Sequence, residues 1–250
     1  MKVSFAFETD QQGRKVLVPR SPMTGLDEWR LDVEVDGKVY PVFQQNAMKY
    51  GEYSDYMNHH GCACCSMTTM LAAWSPDCAG LTPDRTIRQV ERKYFPKNVW
   101  NLNYRHILKK QMPVSLYGIS TILTAKGIPN QYIGSFRREA GLEQIRNHLY
   151  SGRPVMIETS RVRYEKGRPV DLNDRKFAGS YHTMILLGID AAGLAVMTDS
   201  ATRAWAGKVQ RLKWVELSEI LDYMFPQIVK WDKHLYFHRR WTSGGYILVG

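Results

Sequence analysis

Three of the four cysteines in this chain lie within four positions, directly after two histidines. They belong to the segment HHGCACCSMTTMLAAW, residues 59–74. Thiolates and imidazoles are ligands that zinc prefers, and a thiolate is also a good nucleophile toward a carbonyl carbon. The segment is therefore a candidate metal site, a candidate nucleophile, or a buried helix whose cysteines serve only as small apolar residues.

The spacing of the cysteines argues against a metal site. Zinc ribbons and fingers present separated pairs of ligands, whereas the cysteines here are crowded together and only Cys78 stands apart. On a helix, Cys62 and Cys65 would share a face while Cys64 would point away. We therefore expect no metal and no cofactor.

Cys62 differs from the other cysteines because it follows Gly61, where a loop is expected to enter a helix. That helix is predicted from apolar residues at helical spacing, namely Met67, Met70, Leu71 and Trp74. The free N–H groups and the dipole at a helix start stabilise a thiolate. The sequence thus favours Cys62 as a nucleophile. The other cysteines are expected to pack the helix, although Cys64 and Cys65 could instead protect Cys62 by disulfide exchange.

A nucleophilic thiol needs a base, and the sequence offers seven histidines. His182 differs from the others because it begins a long apolar strand, HTMILLGI, over residues 182–189. Taken alone, a histidine at the mouth of a buried strand is more often a satisfied core group than a base. The following strand, residues 194–199, changes this balance because it ends in the carboxylate of Asp199.

The register of these two strands predicts a contact between the imidazole and the carboxylate. If Ile189 faces Leu194 across the turn, Asp199 lies opposite Met184. His182 is two residues from Met184, so it lies on the same face and diagonal to Asp199. A carboxylate at that place can orient the imidazole by a hydrogen bond. The alternative interpretation of Asp199 is a turn residue at a strand end.

These residues resemble a known family. The segment Gly61–Leu71 is similar to the Gly-Cys-Gly-Pro-Thr-Ser motif and apolar helix of cysteine peptidase family thirty-nine. That family contains the double-glycine leader peptidases of bacteriocin processing and their relatives within the papain-like superfamily. The resemblance implies a papain-like fold in which Cys62 is the nucleophile, His182 the base and Asp199 the group that orients the base.

The resemblance extends upstream but is incomplete. The segment Pro41–Asn46 is similar to the oxyanion-hole motif of the family, which implies that Gln45 and the backbone N–H of Cys62 polarise the substrate carbonyl. The sequence departs from the family where Ala63–Cys65 replaces Gly-Pro-Thr, and where Asp199 is followed by serine rather than proline. The likeness covers roughly residues 40–225, by sparse motifs.

Hydrophobic periodicity predicts an α+β fold, with helices packed on an antiparallel sheet. Residues 1–43 alternate in the manner of strands, and Asp36-Gly37 between two such runs predicts a hairpin. Further helices are predicted at 82–95, 115–126, 142–150 and 217–224, and strands at 154–159, 182–189, 194–199, 209–214 and 245–249. We expect residues 1–39 to be a β-rich appendage and residues 40–250 to form a papain-like cysteine peptidase domain, in one globular unit.

Composition limits the choice of partners. The net charge of +10 could indicate an anionic partner, but Lys and Arg are scattered and no nucleic-acid-binding signature accompanies them, so no nucleic acid is expected. The N-terminus lacks the apolar segment of a signal peptide and no apolar run is long enough to span a bilayer, which predicts a cytoplasmic protein without a membrane span. The basic and aromatic stretch Trp231–Trp241 could steer an acidic substrate, although a packed C-terminal strand with solvated charges is the favoured interpretation.

The sequence therefore predicts a thiol-dependent hydrolase of peptides or amides. An acyltransferase with the same residues is an alternative, because the catalytic residues do not choose the acceptor. A peptide-binding module of the same fold that does not cleave its ligand is a second alternative, which the set of Cys62, His182, Asp199 and Gln45 disfavours. The natural substrate and the oligomeric state are left open.

Overall fold

The computed structural model describes residues 2–46, 49–94, 115–160, 162–165, 168–171, 182–201, 210–224, 228–231 and 240–250. The helices are α1 (Ser54–Trp74), α2 (Pro83–Tyr94), α3 (Leu116–Ala125), α4 (Arg138–Tyr150) and α5 (Leu217–Tyr223). The strands are β1 (Lys2–Thr9), β2 (Lys15–Pro19), β3 (Arg30–Val35), β4 (Lys38–Phe43), β5 (Asn130–Ile133), β6 (Val155–Thr159), β7 (Val162–Glu165), β8 (Arg168–Asp171), β9 (His182–Ile189), β10 (Leu194–Thr198), β11 (Leu212–Glu216), β12 (Ile228–Trp231), β13 (Arg240–Ser243) and β14 (Tyr246–Val249). Within the described ranges, no helix is both long and apolar enough to cross a bilayer.

The first four strands form a sheet of their own, in the order β2-β1-β3-β4. The pair β1–β3 is parallel and the other two pairs are antiparallel. The predicted hairpin between β3 and β4 is confirmed, with Asp36 at φ 45° and Gly37 at φ 79°. Two successive residues with positive φ make the type I′ turn, whose twist matches that of the strands it joins. This four-stranded sheet extends through Phe43, the last residue of β4.

A second sheet of six strands has the order β11-β10-β9-β6-β14-β5, and every neighbouring pair in it is antiparallel. The strands predicted at 154–159, 182–189 and 194–199 correspond to β6, β9 and β10, which are consecutive in this order. The mixed helix-and-sheet class predicted from the sequence is confirmed. The short edge strand β5 was not predicted, because four residues of mixed polarity, NQYI, carry no readable alternation.

Helix α1 is longer than the sequence predicted. It begins at Ser54, after a 3₁₀ turn over Gly51–Tyr53, and not near Gly61. The apolar pattern continues upstream through the buried side chains of Tyr56 and Met57, so the helix has a reason to extend there. A Cβ at position 61 would lie 2.8 Å from Met57 Cε and 3.1 Å from Gln45 Cβ, so the glycine leaves room for both side chains inside the helix.

The central part of α1 is buried on all sides, because the helix lies between the two sheets. It packs against β4 on one side and β9 on the other. Two hydroxyl groups tie it to both. Ser66 Oγ donates to the Thr183 carbonyl at 3.0 Å, and Thr69 Oγ1 donates to the Pro41 carbonyl at 2.6 Å. The helix that carries the cysteines is therefore fixed in rotation as well as in position.

The four-stranded sheet shares one hydrophobic cluster with α1 and with the near face of the six-stranded sheet. The far face of the six-stranded sheet is covered by α4 and α5, which form a second cluster with it. Gly188 on β9 is a point of close approach, since a Cβ there would lie 3.0 Å from Phe7 Cε1 and 3.3 Å from Leu17 Cβ. The absence of a side chain at Gly188 allows the β1–β2 hairpin to pack closely against β9.

We expect Gly188→Val to lower the free energy of unfolding by about 1–3 kcal/mol, because the new methyl groups would push against Phe7 and Leu17 in a packed core. Urea denaturation measures the change. Gly80→Val is the matched control, because nothing lies within 4 Å of a Cβ at Gly80. Equal stability of the two variants would contradict the close packing of the β1–β2 hairpin on β9.

Candidate active site

The register of β9 and β10 brings the predicted base and its orienting carboxylate together by an indirect route. At the turn Ile189 pairs with Ala195, so the predicted pairing with Leu194 is wrong by one residue. A β-bulge in the middle of the pair then shifts the register, and Thr198 pairs with Ile185. This second pairing is the one that the prediction required. The bulge thus places the next residue of the chain, the predicted carboxylate, diagonal to the imidazole.

His182 and Asp199 form a buried pair. His182 Nε2 lies 2.8 Å from Asp199 Oδ1, and the Ala201 N–H donates to the same oxygen at 2.8 Å. Burial by itself would lower the pKa of His182, but the Asp199 charge and hydrogen bond, together with the Cys62 thiol, raise it to about 10. Burial would likewise raise the pKa of Asp199, but His182 and Lys213 hold it well below its usual range.

Cys62 lies against the imidazole, since its hydrogen bond is one of the causes that raise the pKa of His182. It is 3% exposed. Because α1 begins at Ser54, Cys62 lies in the helix interior, where a backbone N–H donates to the carbonyl four residues earlier. The predicted helix start at Cys62 is therefore wrong, and the Cys62 N–H is not one of the free donors at a helix start. The group that can stabilise a Cys62 thiolate here is the His182 imidazolium.

The other cysteines are packed in the core. All four cysteines are free, and Cys64, Cys65 and Cys78 are buried. Burial raises the pKa of Cys64 and of Cys65 far above the usual thiol value, and their hydrogen-bond partners are Tyr56 and Tyr50. These two thiols are therefore protonated and poor nucleophiles. Within the described part of the chain, no cluster of three or more His, Cys, Asp or Glu side chains is arranged to hold a metal ion.

Gln45 lies between the two halves of the site. The backbone N–H of Gln45 donates to the Ser200 carbonyl at 2.9 Å, and the Ser200 hydroxyl donates to the side-chain oxygen, Gln45 Oε1, at 3.1 Å. A Cβ at Gly61 would lie 3.1 Å from Gln45 Cβ. Gln45 thus stands beside the residue before Cys62 and is bonded to the residue after Asp199.

Two of the remaining histidines have other contacts. The His60 ring packs on Tyr56, with 5.8 Å between the ring centroids. His148 Nε2 lies 3.1 Å from the Val249 carbonyl, and burial lowers the pKa of His148, as expected of a core histidine. Three others, His106, His234 and His238, lie outside the described residues.

Two basic residues on β11 and just before it were missed by the sequence analysis. Arg211 is fully buried, and its Nη1 and Nη2 donate to the carbonyls of Asp199 and Ala201 at 2.9 and 2.6 Å. Lys213 Nζ lies 2.5 Å from Asp199 Oδ2. The sequence does contain a hint of this, because basic residues at alternate positions of a strand share one face. Basic residues in strands usually face solvent, so this signal was weak.

Glu158 on β6 is a third residue that the sequence analysis missed. It is fully buried, and its Oε1 accepts a hydrogen bond from the Gly244 N–H at 3.0 Å. Among the described residues, Glu158 Oε2 has no hydrogen-bond partner. Burial raises the pKa of Glu158 well above its usual value, and the charge of Cys62 adds to the rise. Burial thus favours the protonated form of this carboxyl over the carboxylate.

With this geometry in place, the chain can be compared with known protein families. The Peptidase_C39 like family matches residues 38–227. The chain belongs to this family. The matched range contains the candidate site, including Gln45, Cys62, His182 and Asp199. At the level of the family, the protein is a peptidase-like hydrolase. A comparison with curated proteins gives no match.

The burial of Glu158 has a pH-dependent consequence for stability. Because the pKa of Glu158 is raised on folding, the unfolded chain loses this proton more readily, and stability falls as pH rises above the ordinary value of 4.5. Glu158→Gln removes that loss. Relative to wild type, we expect the unfolding free energy of Glu158→Gln to rise as the pH increases from 4 to 8.

Denaturant unfolding at the two pH values measures this gain. Glu143→Gln, on the exposed face of α4, is the matched control and is expected to show no such pH-dependent gain. A stability difference between Glu158→Gln and wild type that is the same at pH 4 and pH 8 would show that folding does not raise the pKa of Glu158.

Proposed function

We propose that the protein is a thiol-dependent hydrolase of peptides or amides, with a papain-like fold. In this proposal Cys62 is the nucleophile, His182 the acid and base, and Asp199 the group that orients His182. The observation that carries the proposal is the buried pair of His182 and Asp199 at 2.8 Å, with the Cys62 thiol against the same imidazole. Membership of a peptidase-like family supports the same chemistry.

The two nitrogens of His182 have separate tasks. Nε2 is engaged with Asp199, so Nδ1 is the nitrogen that remains to take a proton from the Cys62 thiol. The resulting thiolate attacks the carbonyl carbon of the substrate, and the imidazolium then protonates the leaving amine. Water, deprotonated by the same imidazole, next attacks the thioester at Cys62. The acid product leaves and the thiol is restored.

Gln45 is the proposed donor to the oxyanion. Its side-chain oxygen accepts from the Ser200 hydroxyl, so the amide nitrogen is the end of the side chain that can donate to substrate. Because the Cys62 N–H belongs to the interior of α1, the side chain of Gln45 takes a larger share of this task than in a site at a helix start. Ser200 also connects Gln45 to Asp199, its neighbour in the chain.

The substrate preference is proposed from charge alone. A net charge of +10 favours acidic peptides over basic ones at low salt. Most of the Trp231–Trp241 stretch that suggested this preference lies outside the described residues. Digestion of a peptide library at low and high salt tests the idea, and cleavage that is insensitive to salt and shows no preference for acidic peptides would remove it.

Cys62 should be the reactive cysteine. We expect iodoacetamide near neutral pH to modify Cys62 before the other three cysteines, as measured by peptide mapping, because only Cys62 has an imidazole partner among the described residues. Cys62→Ala should lower peptide cleavage by about a thousandfold or more while substrate binding is retained. Cys78→Ala, which removes a buried thiol remote in sequence from the site, is the control for altered packing.

Two results would change the assignment. Cleavage that survives in Cys62→Ala would rule out a Cys62 hydrolase, and unchanged ligand binding without cleavage in the wild type would favour the peptide-binding module. If the wild type instead passes the acyl group from Cys62 to an added amine in preference to water, the reaction is an acyl transfer.

Gln45→Ala should lower kcat by about 10²–10³ with little change in KM, because an oxyanion donor acts on the transition state more than on the bound substrate. Steady-state kinetics with one peptide substrate measure both constants. Gln44→Ala is the matched control, since Gln44 uses its backbone to bond Trp29 and Tyr50. An equal loss in both variants, or a loss confined to KM, would argue that Gln45 shapes the loop and does not stabilise the oxyanion.

A further inference from the structure

Lys213 shares the carboxylate of Asp199 with His182. Lys213 Nζ lies 2.5 Å from Asp199 Oδ2, while His182 Nε2 lies 2.8 Å from Oδ1. The side chains of Lys213 and Asp199 are 6% and 4% exposed, so the ion pair is shielded from water. Lysine is almost never buried unless it is paired. Here the pairing places a positive charge on the carboxylate oxygen that the imidazole does not use.

The pairing of β10 with β11 explains why Lys213 reaches this carboxylate. Met197 pairs with Lys213, and the Asp199 N–H donates to the Arg211 carbonyl at 2.9 Å. Asp199 therefore faces Arg211 and is diagonal to Lys213. The Arg211 guanidinium is occupied by the backbone carbonyls of Asp199 and Ala201. Lys213 is thus the β11 side chain that is left to meet the carboxylate itself.

We propose that Lys213 is a positioning residue of the active site. It fixes the Asp199 carboxylate and offsets part of its charge, which makes the His182 proton easier to transfer to a leaving amine. This inference rests on the proposed hydrolase function, because the transfer to a leaving amine is a step of that reaction. The effect of Lys213 on the proton of His182 can nevertheless be measured without turnover.

The charges around the imidazole come from four elements. Cys62 from α1 and Asp199 after β10 act on the imidazole directly. Arg211 and Lys213, from the β11 region, bond Asp199, and the buried Glu158 from β6 interacts with Cys62. Burial lowers the pKa of His182, while Asp199 and then Cys62 raise it to about 10. A general acid works best when its pKa lies near the working pH, so a carboxylate without a counter-charge would hold this proton too tightly. The ammonium of Lys213 acts in the opposite direction to Asp199.

Lys213→Gln tests the proposal, because glutamine keeps a hydrogen-bond donor for Asp199 Oδ2 and removes the charge. We expect the midpoint of the His182 titration, followed by NMR, to move upward by about one pH unit. The upper limb of the pH profile of Cys62 alkylation should move in the same direction. At neutral pH, kcat for peptide cleavage should fall about tenfold with little change in KM.

Lys213→Arg keeps the charge and should return the His182 midpoint toward the wild-type value. Lys126→Gln, at the end of α3 and remote from Asp199, is the control for a general change of net charge. Lys213→Met provides a second uncharged variant of different shape, so that either variant can carry the measurement if the other does not fold. An upward shift in both uncharged variants identifies the charge of Lys213 as the cause.

A His182 midpoint that stays unchanged in the uncharged variants would overturn the proposal and reduce Lys213 to a packing residue. A shift of the same size in Lys126→Gln would overturn it as well. If wild-type protein cleaves no peptide but Lys213→Gln still moves the His182 midpoint upward, the charge effect of Lys213 stands and the hydrolase proposal fails.

Discussion

A carboxylate buried away from water is stable only when positive charges or hydrogen-bond donors surround it, and Asp199 meets this requirement from several directions at once. His182 and Lys213 bond its two oxygens, and Arg211 bonds its backbone carbonyl. These partners belong to β9 and to the β11 region, on either side of β10 in the sheet. The strands must therefore keep one register for the charge to be satisfied, and that register also aims the imidazole at Cys62.

The two-sided burial of α1 is the second constraint on the site. Ser66 anchors the helix to β9 and Thr69 anchors it to β4, so the helix cannot rotate without breaking a buried hydrogen bond. Cys62 is one turn before Ser66, on the part of the helix that this bond holds. The first sheet consequently contributes to the geometry of the thiol although it supplies no reacting group of its own.

Much of this arrangement could be predicted where a local rule applies. The Asp36-Gly37 hairpin follows from turn chemistry, and the pairing of β9 with β10 follows from two apolar runs joined by a short turn. The early start of α1 was missed because Gly61 was taken as a helix boundary, although the buried Tyr56 and Met57 already continued the periodicity. A glycine inside a helix can mark close packing as well as an end, and the sequence does not distinguish the two.

The charged residues of the core could not be predicted in the same way. Lys213 is buried beside Asp199, and Glu158 is buried beneath other parts of the chain, so the environment of both depends on residues far away in the sequence. The bulge between β9 and β10 is of the same kind, since the pairing at the turn and the pairing near Asp199 differ by one residue. Periodicity gives the face of each strand, but it does not show where a ladder gains an extra residue.

The position of β14 has a consequence for how the protein is made. It comes after every other described strand in the chain, yet it lies inside the six-stranded sheet, between β6 and β5. Gly244, which bonds Glu158 on β6, lies two residues before its first residue, Tyr246. Because the N-terminal part of a chain leaves the ribosome first, the sheet beneath Cys62 lacks an inner strand until translation has passed residue 249. A thiol site assembled on this sheet would be inactive in the nascent chain, so it would not cleave neighbouring polypeptides at the ribosome exit.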